Sequence, residues 1–211
     1  MDLNNLILVF FLIVFSLLFY KYSPIFIKKN YPKFLIDDQL NKPQAFHESP
    51  TPILGGICIF FSLLIVFLAL LFFENKTYYE YLSFCSLFFL LGFLDDAKIN
   101  IYARTRLILM VILLIFLVNY NNFYLEKTGI EFLNNWIEGS NIFSIIFICL
   151  CFLFIINGAN LIDGYNGLLG FHSLIILINL FLINYFKGND DLTKLLFFAI
   201  LIIIMFLLFN F

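Results

Sequence analysis

The residues best suited to chemistry lie in three short polar segments of a sequence that is 63% hydrophobic. These segments cover residues 41–56, 92–98 and 157–167, and each lies beside a long apolar run. An ionisable side chain at membrane depth costs roughly 2.5–3.5 kcal/mol on insertion scales. Carboxylates at these places are therefore candidates for function.

Segment 92–98 contains two adjacent carboxylates, Asp95 and Asp96, followed by Lys98. Adjacent carboxylates repel each other unless a cation or a proton lies nearby, and Mg²⁺ accepts carboxylate oxygens while it keeps waters and substrate phosphates as other ligands. Neighbouring side chains on a helix point about 100° apart. We therefore expect one aspartate to bind metal and the other to orient or deprotonate a substrate, with Lys98 as a point charge for phosphate. The competing interpretation is a solvated helix end with ordinary charges.

Segment 157–167 interrupts two apolar runs with carboxamides, a carboxylate and glycines. Asn160, Asp163 and Asn166 follow one another at intervals of three, so a helix would place them along one face. Carboxamides such as that of Asn157 offer donors and acceptors for a nucleobase edge or a sugar amide. The alternative is a polar turn that joins two helices.

Segment 41–56 leads into an apolar run. Pro50 and Pro52 flank Thr51 and predict an extended entry, and the glycines at 55 and 56 permit close approach of a backbone or a helix. His47 could contact a phosphate or a base, or it could be an ordinary loop histidine.

The composition predicts a polytopic membrane protein. The chain has 20% aromatic and 12% charged residues and a mean hydropathy of +1.02. No basic patch is present to neutralise a nucleic-acid backbone, so we expect no nucleic-acid partner. The four cysteines lie in apolar stretches without metal-binding spacing, which indicates small buried or lipid-facing side chains.

The apolar runs predict an all-α bundle of about seven transmembrane helices, folded as one unit over residues 1–211. The candidate spans are Leu3–Tyr20, Ile53–Phe73, Tyr78–Leu94, Ile101–Tyr120, Ser140–Ile156, Leu168–Phe186 and Leu192–Phe211.

The distribution of lysine and arginine predicts the orientation. One side of the predicted bundle receives eight basic residues, namely Lys21, Lys28, Lys29, Lys33, Lys42, Lys98, Arg104 and Arg106. The other side receives four, namely Lys76, Lys127, Lys187 and Lys194. The richer side is expected to be cytoplasmic, with the N-terminus outside. All three polar segments then lie on the cytoplasmic side.

Taken in order, three patterns resemble a known family. They are P-T-P-x-x-G-G from Pro50, G-x-x-D-D-x-K from Gly92 and N-x-A-N-L-x-D-G-x-x-G-L from Asn157. The chain is similar to the polyprenyl-phosphate N-acetylhexosamine-1-phosphate transferases, also called glycosyltransferase family 4. That family includes the translocase that begins the lipid-linked stage of peptidoglycan synthesis and the enzymes that initiate O-antigen or teichoic-acid synthesis. The His47 version of the first pattern resembles the O-antigen and teichoic-acid branch more.

The resemblance implies a Mg²⁺-dependent transfer in the bacterial inner membrane. The phosphate of undecaprenyl phosphate would attack the β-phosphate of a UDP-linked N-acetylhexosamine, and UMP would leave. Catalytic roles would fall on Asp95, Asp96 and Lys98, and metal binding on Asp95, Asp96 and Asp163. The residues that the resemblance assigns to substrate binding are His47, Thr51, Asn157, Asn160, Asp163 and Asn166. The implied partners are the sugar nucleotide, the lipid phosphate and membrane lipid, with a homodimer left open.

Two departures from the family pattern qualify these expectations. Asn166 stands where the family often carries an aspartate, so a metal or acid–base role is not expected there. A later G-D-x-G-S segment with a metal-binding aspartate is absent from the sequence. We therefore expect a truncated chain of the family, for which the alternative is an inactive membrane fragment. A small cation-coupled transporter is a further alternative, disfavoured because transporters usually place such charges near the midplane.

Overall fold

The computed structural model describes residues 3–30, 35–37, 51–96, 102–123, 125, 127–162 and 167–210, with the backbone alone at 30, 37, 95, 103, 160 and 161. Within these ranges lie eight helices and two short strands. The helices are α1 (Leu3–Asn30), α2 (Gly55–Glu74), α3 (Tyr79–Asp96), α4 (Ala103–Tyr120), α5 (Glu131–Gly139), α6 (Asn141–Ile162), α7 (Leu168–Phe186) and α8 (Asp190–Phe209). The strands are β1 (Ile36–Asp37) and β2 (Thr51–Pro52).

The all-α membrane architecture predicted from the apolar runs is confirmed. Five helices in the described part of the chain, α1, α2, α6, α7 and α8, are long and apolar enough to cross a membrane. Backbone groups cannot find partners in lipid, so an uninterrupted apolar run satisfies them internally as a helix. The apolar part of α3, Tyr79–Leu94, is shorter. The total of seven spans and the outside N-terminus stay predictions.

Two of the predicted spans are longer by more than one helical turn in the structure. Helix α1 continues past Tyr20 to Asn30 and contains Pro24, which has no N–H to donate along the helix. In the residue directly before it, the Ser23 hydroxyl donates to the Phe19 carbonyl oxygen at 2.5 Å. Helix α6 continues past Ile156 to Ile162. The first part of segment 157–167 is therefore the last turn and a half of a helix.

Helix α5 lies where the sequence predicted only an outside loop, between α4 and α6. It is nine residues long and amphipathic, so no run of membrane-spanning length marks it in the sequence.

Strands β1 and β2 pair antiparallel, with Asp37 opposite Thr51. The Ile53 N–H donates to the Leu35 carbonyl at 2.8 Å. The pairing confirms the extended entry that the prolines around Thr51 predict. It attaches residues 35–37 to the beginning of α2.

The apolar side chains form two buried clusters in the described residues. The first joins α1, α2 and α8 through Leu8, Leu12, Val66, Phe67, Leu70, Leu195, Phe198 and Ile202. The second joins α4 and α6 through Leu114, Val118, Ile148 and Cys149, with Phe84 and Phe88 of α3 packed against it. Cys58 and Cys149 are buried, Cys151 is exposed on α6, and all four cysteines are free, as the sequence predicted for hydrophobic cysteines.

Short connections place the helix ends that carry the polar segments at one end of the bundle. Residues 75–78 join α2 to α3, and residues 187–189 join α7 to α8, so each pair runs antiparallel. Helix α4 also packs against α3 and α6, with Arg106 beside the ends of both. The starts of α2, α4 and α7 and the ends of α3, α6 and α8 therefore share one end, which we name the site end. The connection between α2 and α3 and the turn between α7 and α8 lie at the opposite end.

Candidate functional site

Two of the predicted site residues line one cavity at the site end. Asp96 ends α3, and Asn157 lies near the end of α6. We name the cavity between them the Asp96 cavity; its volume is about 260 Å³. Its lining comprises Phe88, Leu91, Gly92, Asp96, Arg106, Met110, Ile156 and Asn157. Its lining combines apolar side chains with a carboxylate, a guanidinium and a carboxamide.

The helices that pack into the second buried cluster position these groups. Phe88 belongs to α3 and packs against the buried residues of α4 and α6, and it also lines the cavity. The polar ends of three helices are therefore held over one shared apolar core. Because these helix ends are packed together, Asp96 and Asn157 line the same cavity although about sixty residues separate them in sequence.

Asn157 presents part of its carboxamide. Its amide nitrogen donates to the Leu153 carbonyl oxygen at 2.8 Å, as Asn119, Asn179 and Asn184 do one turn back along their own helices. This bond uses one N–H of the carboxamide and leaves the side-chain oxygen and the second N–H of Asn157 for a ligand. The same hydrogen bond forms at the three other asparagines just named. Asn157 differs from them by its location in the cavity and not by this bond.

Arg106 is a site residue that the motifs did not single out. It lies in the first turns of α4 and lines the cavity together with Asp96. The sequence used Arg106 only as one of the basic residues that set the orientation. A signal was available, because an arginine at the beginning of an apolar helix needs a polar neighbour or water.

Thr51 lines a second cavity at the site end. This cavity, the Thr51 cavity, has a volume of about 280 Å³. It is lined by Tyr20, Pro24, Thr51, Pro52, Leu54, Gly55, Phe206, Phe209 and Asn210. The Tyr20 and Phe209 rings stack in its wall with centroids 4.9 Å apart. Asn210, which the motifs did not identify, places a carboxamide there, so the lining of the Thr51 cavity combines aromatic rings with hydroxyl and carboxamide groups.

The other predicted site residues are not placed. His47, Lys98, Asp163 and Asn166 lie outside the described residues, and only the backbone is described at Asp95 and Asn160. Their assigned roles stay predictions. Helix α6 does include Asn160, and α7 begins after Gly167 in the left-handed conformation with φ of 74°.

The described residues of the Asp96 cavity supply some of the oxygen ligands that a hard divalent cation binds, but not a complete set. Within the described ranges no group of three histidine, cysteine or acidic side chains is close enough to hold a metal ion. Asp96 and Asn157 together offer oxygen donors, the type that Mg²⁺ prefers, and Mg²⁺ commonly takes only one or two protein carboxylates. The residues present are thus compatible with Mg²⁺ bound jointly with a substrate phosphate.

The chain is similar to several bacterial transferases. It is 35% identical over 173 residues to the phospho-N-acetylmuramoyl-pentapeptide-transferase of Dictyoglomus turgidum, covering 78% of this chain and 52% of that protein. The enzymes of that name from Prochlorococcus marinus and Sulfurimonas denitrificans are each 30% identical, covering 70% and 71% of this chain and 44% and 45% of theirs. The chain spans about half the length of these relatives. No solved structure shows a significant match.

Residues 78–211 match the family described as Glycosyl transferase family 4. The matched part begins just before α3 and includes Asp96, Arg106, Asn157 and Asn210. Both the family resemblance of the three motifs and the membrane architecture agree with this match. Because it spans more than half of the sequence, the chain belongs to glycosyl transferase family 4.

Proposed function

We propose that this chain contributes to the transfer of a phospho-N-acetylhexosamine from a UDP-sugar to undecaprenyl phosphate, which yields a lipid-diphosphate sugar and UMP. The observation that carries the proposal is the convergence of Asp96, Arg106 and Asn157 on one cavity, at the end of an apolar bundle. A reaction between a soluble nucleotide sugar and a lipid phosphate requires a polar site at the membrane face. The expected location is the cytoplasmic face of the bacterial inner membrane.

The charges of the Asp96 cavity suit phosphoryl transfer, which depends mainly on positioning and charge neutralisation. A guanidinium such as that of Arg106 binds phosphate oxygens in a bidentate manner. The Asp96 carboxylate can accept a proton from the lipid phosphate or hold a cation. In the transfer, a lipid phosphate oxygen forms a bond to the β-phosphorus, and the bond from that phosphorus to the bridging oxygen breaks, so the bridging oxygen leaves with UMP.

Mg²⁺ is part of the proposal. Asp96 would hold it together with Asp95 or Asp163, and the cation would neutralise charge on the diphosphate. At about 260 Å³ the Asp96 cavity is smaller than the ~300–1,000 Å³ of sites that enclose a whole small molecule. We assign it to the phosphate part of the substrates, with the nucleoside or the sugar bound outside it.

The identity of the transferred sugar is proposed from the names of the similar proteins. All three relatives described above are named for the transfer of phospho-N-acetylmuramoyl-pentapeptide, which favours peptidoglycan synthesis as the pathway. The His47 version of the first motif favours the O-antigen or teichoic-acid branch. A direct comparison of donors separates these two possibilities.

The test is a membrane assay with undecaprenyl phosphate and labelled donor. Membranes containing the chain receive UDP-linked N-acetylmuramoyl-pentapeptide or UDP-N-acetylglucosamine, with Mg²⁺ or with a chelator, and lipid-extractable label is measured. We expect Mg²⁺-dependent label from the first donor. Label from the second donor only would move the protein to the other branch. No label from either donor would overturn the activity for this chain and favour the inactive fragment.

A further inference from the structure

Helix α5 has an apolar side and a polar side. At 100° per residue, its four large apolar residues fall within an arc of about 140°. These residues are Phe132, Leu133, Trp136 and Ile137. The remaining arc carries Glu131, Asn134, Asn135, Glu138 and Gly139.

Among the residues that the structure describes, only half of the apolar side of α5 is covered by protein. Ile137 is buried, and α5 is in contact with α6. Phe132 and Trp136 form the other edge and are 62% and 54% exposed. Their ring centroids lie 5.5 Å apart, so they form one exposed aromatic surface, the Phe132–Trp136 face. The beginning of the helix is held by Thr128, whose N–H and hydroxyl both donate to the Asn134 side-chain oxygen at 2.6 and 2.8 Å.

The Phe132–Trp136 face continues onto the surface of a membrane span. The Trp136 ring lies 5.4 Å from the Phe143 ring on α6, and Phe143 lies 6.1 Å from Phe147. Beside this row, α6 exposes Ile142, Ile146 and Leu150 at intervals of four residues. Since α6 is apolar enough to span a membrane over Asn141–Ala159, lipid is the expected surrounding of these side chains.

Because α5 directly precedes a candidate membrane span, we expect its aromatic face at the level of the lipid headgroups. Helix α5 ends at Gly139 and α6 begins at Asn141, so α5 lies at the outer end of the span, opposite the site end. Tryptophan and tyrosine concentrate at that depth, because their rings are apolar at one end and carry a polar group at the other. A short amphipathic helix can lie in this plane with its apolar side toward the acyl chains.

We propose that the Phe132–Trp136 face binds the membrane–water interface of the leaflet opposite the candidate site, and so anchors the beginning of α6 at a defined depth. The occupant of this face is phospholipid. Helix α5 carries two glutamates and no lysine or arginine. Binding therefore rests on the aromatic side chains and needs no anionic lipid.

Trp136 is the only tryptophan of the chain, so its fluorescence reports on this face alone. The 211-residue chain is reconstituted into vesicles of zwitterionic phosphatidylcholine that carry bromine near the headgroup end or near the methyl end of the acyl chains. We expect emission blue-shifted from that of a tryptophan analogue in water, and stronger quenching by the shallow bromines than by the deep ones. Unshifted emission without quenching would overturn the proposal, because the face would then lie in water.

A second copy of the chain is the competing occupant, and the same experiment separates it from lipid. A protein partner would also shift the emission to the blue, but it would shield Trp136 from bromines at both depths. Blue-shifted emission without quenching would therefore overturn the lipid assignment. Strongest quenching by the deep bromines would also overturn it, because α5 would then lie in the hydrocarbon.

Two variants test the orientation of α5, both in a Trp136→Phe background that keeps an aromatic ring at that position. Phe132→Trp moves the reporter one turn along the same face and is expected to retain shallow quenching. Asn135→Trp moves it to the polar side and is expected to emit as in water, with quenching lost. Equal quenching of the two variants would contradict the proposed orientation.

Discussion

Asp96 is the carboxylate at the candidate site whose side chain the structure places. It is exposed at the end of α3 and shares its cavity with a guanidinium and a carboxamide. A carboxylate in this position can either accept a proton or hold a cation. Both roles require its negative charge and are lost when the carboxylate becomes a carboxamide of the same shape.

Asp96→Asn is expected to lower the rate of lipid-linked product formation by about 10²- to 10⁴-fold, the usual contribution of a positioned acid or base. The measurement is the membrane assay with saturating donor. Asp190→Asn, at the beginning of α8 and at the opposite end of the bundle, is the matched control and should keep the full rate. A full rate in Asp96→Asn would remove Asp96 from the chemistry.

Arg106 and Arg104 form a natural pair for testing phosphate recognition. Both lie in the first turns of α4, but only Arg106 lines the Asp96 cavity, while Arg104 is exposed. Arg106→Gln is expected to raise the KM for the UDP-sugar by about 10-fold or more, since a charge-assisted hydrogen bond to a charged group is worth about 1.5–3 kcal/mol. Arg104→Gln should leave KM unchanged in the same assay. Equal effects of the two substitutions would indicate a general surface charge effect.

At the scale of elements, the ends of the helices decide the shape of the site. Helix α2 begins at Gly55, where an added Cβ would lie 2.5 Å from the Phe206 ring of α8. Real Cβ atoms do not approach a carbon so closely, so the ring or the helix would have to move. At the neighbouring Gly56 an added Cβ would meet no atom of the described residues within 4 Å. Gly55 is therefore a position where an added methyl group would clash with α8, and Gly56 is a position where it would not.

Gly55→Ala is expected to destabilise the protein by about 1–3 kcal/mol, the usual cost of overpacking. Thermal unfolding in detergent should show a lower midpoint for Gly55→Ala than for Gly56→Ala. Because Gly55 and Phe206 both line the Thr51 cavity, the same substitution is expected to alter that cavity. Equal midpoints for the two variants would contradict the close packing of α2 against α8.

At the scale of the whole molecule, charged side chains join the helix ends opposite the candidate site. Lys76, in the connection between α2 and α3, donates a hydrogen bond to Asp191 at the beginning of α8. Lys194 of α8 donates to Glu74 of α2 at 2.6 Å. The Tyr78 hydroxyl donates to the Asp191 carbonyl oxygen at 3.3 Å. These contacts hold α2 and α8 together at one end, while glycine packing holds them at the other.

The hydrogen bond to Asp191 is the main cause that raises the pKa of Lys76 above its ordinary value of 10.5. A raised folded-state pKa stabilises the protein at pH below 10.5, and the contribution is lost as the pH rises through the folded-state pKa. Lys76 is partly exposed, so Lys76→Gln is expected to cost less than about 1 kcal/mol at neutral pH. The difference from the unsubstituted protein should shrink in concentrated salt and above pH 10.5.

Thermal unfolding across pH and salt measures this difference. Lys187→Gln is the control, since Lys187 lies at the same end in the turn before α8 and forms no ion pair within the described ranges. A difference between the Lys76→Gln and unsubstituted proteins that persists unchanged above the lysine pKa would contradict an electrostatic origin.

The sequence by itself determined the membrane architecture and the family, because both depend on local properties. Apolar runs such as Leu168–Phe186 satisfy their backbone only as helices in lipid, and the structure reproduces that helix with the same bounds. The motifs around Asp96 and Asn157 consist of neighbours in sequence, so they could be recognised one at a time. Helix α5 could not be found by span length, because its stability depends on a face that packs against α6.

The tertiary structure alone decided which residues meet. Arg106 joins Asp96 and Asn157, and Asn210 joins Thr51, because α3, α4 and α6 share one apolar core and α1, α2 and α8 share another. Side-chain packing between helices sets these meetings, and a linear pattern of hydrophobic residues does not record which helices are neighbours. The physical reason is that the spacing of apolar residues along a helix shows which of its faces is buried. It does not show which other helix packs against that face, and a site depends on the distances between side chains of different helices.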